Sequence, residues 1–154
     1  MIFGTFIFQR IIIPEEVFRE VVEVGTEGRH HDAASIGKMT SDKVIIVKKV
    51  KNMAKAEEIA EHYGLAKGES EAISLSVEIK DSVVALDDLK AIRYCDKFSI
   101  PFTTTINIVL EACKNKTVGK KEAKQMIKNL AIHGRYKNEV IFYALGKLEG
   151  DGND

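Results

Sequence analysis

The segment that most constrains this chain runs from Gly68 to Asp88, where Gly68-Glu69-Ser70-Glu71-Ala72-Ile73-Ser74-Leu75 is followed by Ser82-Val83-Val84-Ala85-Leu86-Asp87-Asp88. It predicts a helix opening on acidic residues, a tight turn at Lys80-Asp81, and a buried strand ending in two aspartates. A helix over Glu69 to Lys80 would be roughly 18 Å long, and a strand over Ser82 to Leu86 roughly 17 Å. With lengths so matched, a helix lying antiparallel on the strand it feeds returns its first turn, with Glu69, to the carboxyl end of the strand, beside Asp87 and Asp88. In open α/β sheets ligands bind at that end. Ionised carboxylates gathered there repel one another and require solvent or a cation between them, and a hard ion such as Mg2+ or Mn2+ suits oxygen donors. Asp88 is also placed to cap the next helix, and Glu71 is expected to be a solvated first-turn carboxylate.

The rest of the chain supplies strands and helices in alternation. Pro14 to Val24 is expected to be helical: proline and the acidic pair Glu15-Glu16 suit a helix start, and Val17, Phe18, Val21 and Val22 form an apolar stripe. Glu20 lies beside that stripe and, by composition alone, is a surface carboxylate. Gly25 to Asp42 is polar and glycine-containing, a loop with a short helix around Asp32–Ile36. Its adjacent His30 and His31 lack a third ligand at helical spacing, which argues against a zinc site. Strand is expected at Lys43–Lys48, helix at Met53–Tyr63 with Gly64 as its stop, helix at Asp88–Phe98 with Leu89, Ile92 and Cys95 inward, a short strand at Ile100–Thr104, and helix at Ile106–Cys113. Such alternation implies an α/β fold, a parallel sheet with right-handed crossovers between helical layers.

The C-terminal part changes character. Thr117–His133 and Asn138–Leu148 carry helical apolar periodicity, with Asn138 a candidate cap, and Glu149–Asp154 is expected to be a disordered tail. The expected organisation is therefore one domain over residues 1–148, with 118–148 a helical extension. A chain of 154 residues with 45% hydrophobic content is long enough to bury such a core. Lys+Arg and Asp+Glu are equal at 23 each, so global charge gives no support to a nucleic-acid partner. There is no apolar run of membrane-spanning length and no basic start with a cleavage site, which implies a cytoplasmic protein with no membrane partner. Cys95 and Cys113 sit in apolar-periodic segments and are expected to be reduced core thiols.

Four segments in order carry a resemblance: Ile-Pro-Glu-Glu-Val-Phe-Arg-Glu-Val-Val from Ile13, Gly-Glu-Ser-Glu-Ala-Ile-Ser-Leu-Ser from Gly68, Val-Ala-Leu-Asp-Asp from Val84, and Ile-Pro-Phe-Thr-Thr-Thr from Ile100. Together they resemble the PIN-domain superfamily, within it the archaeal and bacterial PIN-like proteins of unknown function, over roughly residues 11 to 130. The resemblance implies a three-layer αβα fold and a metal-dependent endoribonuclease, in some members a toxin with an antitoxin partner, that binds Mg2+ or Mn2+ and cuts RNA phosphodiester bonds with an activated water. It implies that Glu20, Glu69 and Asp87 are the catalytic and metal-holding carboxylates. Thr104, Thr105 and Asn107 fall where the family often places a further polar or acidic group. One departure stands out: the family opens with a strand ending in an aspartate, and none of the residues before Ile11 is acidic. Three explanations fit, namely a late start to the reading frame, loss of the first strand and helix, or a structural substitute in Met1–Phe8. A lost strand would expose a sheet edge and favour a homo-oligomer. The alternative to a nuclease is a degenerate PIN-like module that binds RNA or a protein partner without catalysis.

Overall fold

The computed structural model describes residues 10–24, 31–132 and 136–150. It is a helix-rich α/β structure with small sheets, in keeping with the three-layer class expected. The described elements group into two compact units, one ending at Phe102 and the other continuing from Thr103.

The first unit opens with β1 (Ile11–Pro14), which pairs in parallel with β2 (Ile45–Lys48) in the register Ile11↔Ile45, Ile12↔Ile46, Ile13↔Val47 and Pro14↔Lys48. Pro14 has no N–H to give a ladder and stands at the strand's end, where that loss is least disruptive. Helix α1 (Glu15–Phe18) follows and widens into a π-helical turn, Arg19–Val24. The helix expected from Pro14 is thus present, but its second half is wound more loosely. The stretch expected to be mostly loop contains α2 (His31–Ser41), longer than the Asp32–Ile36 turn, and α2 packs on the wide turn and on β2. Packing outweighs the weak helix preference of its Gly, Ser and Thr residues. His30 lies outside the described residues.

Helix α3 (Met53–Tyr63) ends as its sequence dictates. Asn52 accepts the Lys55 N–H at its start, and Gly64 closes it at φ +61°, a left-handed conformation that glycine enters without a side-chain clash. Helix α4 (Lys67–Glu78) packs along α3, and also against β1 and α1. Asp81, at φ +57°, makes the turn into β3 (Val84–Ala85), shorter than the Ser82–Leu86 strand expected. Helix α5 (Leu89–Lys97) starts on Asp88, and β4 (Phe102–Thr103) lies beyond it, with the Val84 N–H donating to the Pro101 carbonyl at 3.0 Å. Among the described residues the sheet is therefore two short two-stranded pieces, not one continuous ladder.

Ile59, Leu65, Ile73, Val84, Leu86, Ala91, Tyr94 and Cys95 form the core of this unit. Leu89, expected inward with Ile92 and Cys95, is instead exposed; the inward face of α5 is Ala91, Tyr94 and Cys95. Position 89 is the first helical residue, before the stripe has turned toward the core. Both cysteines are free, and burial pushes the Cys95 thiol up to about 11, so it stays protonated and inert.

The second unit is a helical cluster. Helices α6 (Thr105–Lys114), α7 (Lys120–Ile132) and α8 (Asn138–Gly150) bury Ile106, Val109, Ala123, Ile127, Ile141, Ala144 and Leu148 against one another. Asn138 is not the cap of α8 but its first residue, because the Lys137 carbonyl already accepts the Val140 and Ile141 amides. Glu149 and Gly150, expected in a disordered tail, belong to α8, and the Glu149 carboxylate is paired with Lys124 at 3.0 Å. The remainder of that tail, 151–154, and the Met1–Phe8 segment lie outside the described residues. Among the described residues no helix is long and apolar enough to cross a membrane.

Candidate acidic site

The first turn of α4 is where acidic side chains meet. Ala66 offers no side-chain cap, and Glu69 compensates by reaching back so that its Oε2 accepts the Ala66 N–H at 3.1 Å. The carboxyl of Glu69 is pushed above the ordinary range, first by burial and then by the negative charges of Asp88 and Glu20, against the opposing pull of the Ala66 amide and Lys90. Three carboxylates from distant parts of the sequence thus share one local field.

Each partner is positioned by a local cause. Asp88 caps α5, its Oδ1 accepting the Lys90 and Ala91 amides at 2.8 and 3.0 Å, as its place before an apolar-periodic run predicts. Lys90 turns back to donate to the Gly64 carbonyl at 3.3 Å. Glu20 comes from the wide turn after α1, and it needs Gly68 to approach. A Cβ on Gly68 would stand 2.8 Å from Glu20 Oε2 and 3.2 Å from Val17 Cγ2, so any larger residue there forces the carboxylate aside. This role of Gly68 was not anticipated from sequence, because nothing local to a helix start reveals which side chain will lie across it.

Of the residues expected at the site, Glu20 and Glu69 are brought within electrostatic range of each other. Asp87 is half-buried, between the buried Leu86 and the cap Asp88. Thr104, Thr105 and Asn107 belong to the second unit, where Thr104 caps α6 by accepting the Asn107 N–H on Oγ1 at 3.3 Å, and Thr105 is the first helical residue.

A second polar cluster lies on the other side of the same helix start. Glu16 and Glu71, only 7% and 4% exposed, are both buried. Arg19 donates twice to the Glu16 carboxylate, from Nη2 and, at 3.2 Å, from Nε, while Lys67 donates to Glu16 Oε2 at 3.0 Å and stands 3.9 Å from Glu71. The Arg19 hydrogen bond first, and the Lys67 hydrogen bond second, hold Glu16 down to about 2. Burial raises Glu71, partly offset by the Glu16 backbone N–H and Lys67. The solvated role expected for Glu71 is therefore wrong: i,i+4 spacing to Lys67 was visible, but the cover supplied by α1 was not.

The donor set around Glu69 is all carboxylate oxygen, the chemistry that hard divalent ions take. Among the described residues no group of three or more His, Cys, Asp or Glu side chains is arranged to hold a metal ion. Glu69 and Asp88 each spend an oxygen on backbone amides. What the geometry provides is a pair of approaching carboxylates, Glu20 and Glu69, with two aspartates at the adjoining strand end.

No curated protein and no solved structure matches the sequence. A family model described as a PIN domain matches residues 5–149, which takes in both units and every carboxylate discussed above. The chain belongs to the PIN-domain family.

Proposed function

We propose that this PIN-domain protein is a divalent-cation-dependent endoribonuclease in which Glu20, Glu69 and Asp87 face the ion. Membership of the family implies nuclease-type function in general, and PIN domains usually use divalent metals. The single observation that carries the proposal is the raised Glu69 carboxyl, held against the charges of Asp88 and Glu20. Groups that shift one another's protonation in this way are concentrated at working sites. Mg2+ or Mn2+ at these oxygens would supply positive charge to phosphate oxygens and acidify a water. Glu20 and Glu69 would hold the ion, Asp87 would complete the acidic set at the strand end, and Thr104, Thr105 and Asn107 would orient RNA. A toxin-type role, with an antitoxin-like partner and a homo-oligomeric assembly, is the finer form of the same proposal and draws its support from the family resemblance.

Thermal unfolding with and without cation tests it. Ionised Glu69 is disfavoured in the fold, a penalty that is in force at neutral pH and disappears as pH falls and the carboxyl is protonated. Mn2+ is therefore expected to raise Tm of the wild type, since a ligand that binds only the folded state stabilises it. Glu69→Gln is expected to melt higher than wild type in metal-free buffer and to gain nothing from Mn2+. RNA cleavage should vanish with EDTA and with Asp87→Asn. A wild-type Tm indifferent to Mn2+ overturns the proposal. It would leave the second reading, a non-catalytic RNA- or protein-binding module, which is favoured by one specific observation: the capping duties that already occupy Glu69 and Asp88.

A further inference from the structure

Helix α8 has two faces of opposite use. Ile141, Ala144 and Leu148 fill the core of the second unit. At about 100° per residue, the face directly opposite carries Glu139, Phe142, Tyr143, Gly146 and Lys147. Phe142 and Tyr143 are 72% and 64% exposed, a large apolar area for solvent to cover. A Cβ on Gly146 would meet nothing within 4 Å, and Gly146 is not in the positive-φ region, so neither packing within the chain nor backbone conformation requires glycine there. Glycine in a helix interior is unfavourable relative to almost any other residue.

The charges say what covers this face. Glu139 stands in the first turn and Lys147 in the last, on either side of Tyr143 and equally distant from it in sequence. A second α8 laid antiparallel about a two-fold axis through Tyr143 sets each Glu139 against the Lys147 of the second copy, twice over. The same operation brings Phe142 over the bare backbone at Gly146 of the second copy. A parallel arrangement would instead oppose Glu139 to Glu139. The face is thus self-complementary in shape and sign, the requirement for an isologous interface.

We infer that α8 is a homodimerisation helix, packing antiparallel on the α8 of a second copy through Phe142, Tyr143 and Gly146, with Glu139–Lys147 pairs at both ends. This gives the self-association proposed above a surface, and it stands apart from the nuclease assignment. Lys147, which lies 5.5 Å from the centre of its own Tyr143 ring, is already drawn over the aromatic patch.

Sedimentation of the full chain over a range of concentrations tests the inference, with Tm as the control for folding. Wild type is expected to be a dimer. Phe142→Glu and Gly146→Gln are expected to weaken it at least tenfold, and Gly146→Gln should melt no lower than wild type once both are monomeric, because it improves the helix. Glu139→Lys and Lys147→Glu should each weaken the dimer, and the two together should restore it. A monomeric wild type overturns both the assembly and its surface. A dimer indifferent to Phe142→Glu and Gly146→Gln overturns the surface alone, and a charge swap that fails to restore association overturns the antiparallel orientation.

Discussion

Ile73→Ala is expected to lower the unfolding free energy by about 2–5 kcal/mol, the range for truncating a large aliphatic side chain that cannot be replaced by water. Ile73 is wholly buried, midway along α4, among Ile59, Leu65, Val84, Leu86, Ala91, Tyr94 and Cys95. Those residues come from α3, β3 and α5 and the segments beside them, so the cavity opens where several elements converge and little backbone can relax into it. Val77→Ala, on the exposed side of the same helix, should change stability by less than about 0.5 kcal/mol. Urea unfolding followed by circular dichroism checks both. Because α4 also carries Glu69, a loosened Ile73 site should blunt any Mn2+-induced rise in Tm before it abolishes folding.

The second large effect is acid sensitivity centred on Glu16. A carboxyl held down to about 2 in the fold, against 4.5 ordinarily, adds stability that is fully present above the ordinary value and is lost as pH falls from 4.5 toward 2. Glu71 works in the opposite sense. Its raised carboxyl means that ionisation is penalised at neutral pH, and acid relieves that penalty. Glu16→Gln should therefore reduce stability at pH 7 by about 1–3 kcal/mol, the scale of hydrogen bonds to a charged group. The low end of that range applies because Arg19 and Lys67 are more than half exposed and partly screened. The variant should also flatten the stability profile between pH 5 and 2. Unfolding midpoints across that window provide the check; a variant as acid-sensitive as wild type would mean that other carboxylates dominate.

Much of the fold was legible because its signals are local. Asn52, Gly64 and Asp88 each act within four residues of where they stand, and they delimit α3 and α5 as their chemistry predicts. The helix that bears Glu69 was likewise written in its own periodicity. What escaped was set by contact between distant segments. Glu16 meets Lys67 across 51 residues, and it is the cover of α1 that turns Glu71 from a solvated group into a buried one. Leu89 shows the converse, an apolar residue whose place on a stripe did not secure burial because it stands at the helix's first position. At the acidic site, Glu69 and the strand-end aspartates followed from matched element lengths. The approach of Glu20 depended on an absent side chain at Gly68, which no spacing rule encodes.

The loosened winding at Arg19–Val24 has a consequence for how relatives should differ from this chain. A π-helical turn accommodates more residues over a given rise than the regular form. A homologue one residue shorter at this point could rewind into ordinary geometry while leaving β1 and α4 where they are. Alignment gaps should therefore collect between Phe18 and Val24, and each would rotate the acidic residue it follows or precedes by about 100°. Evolution has here a dial for aiming Glu20 that leaves the interior untouched.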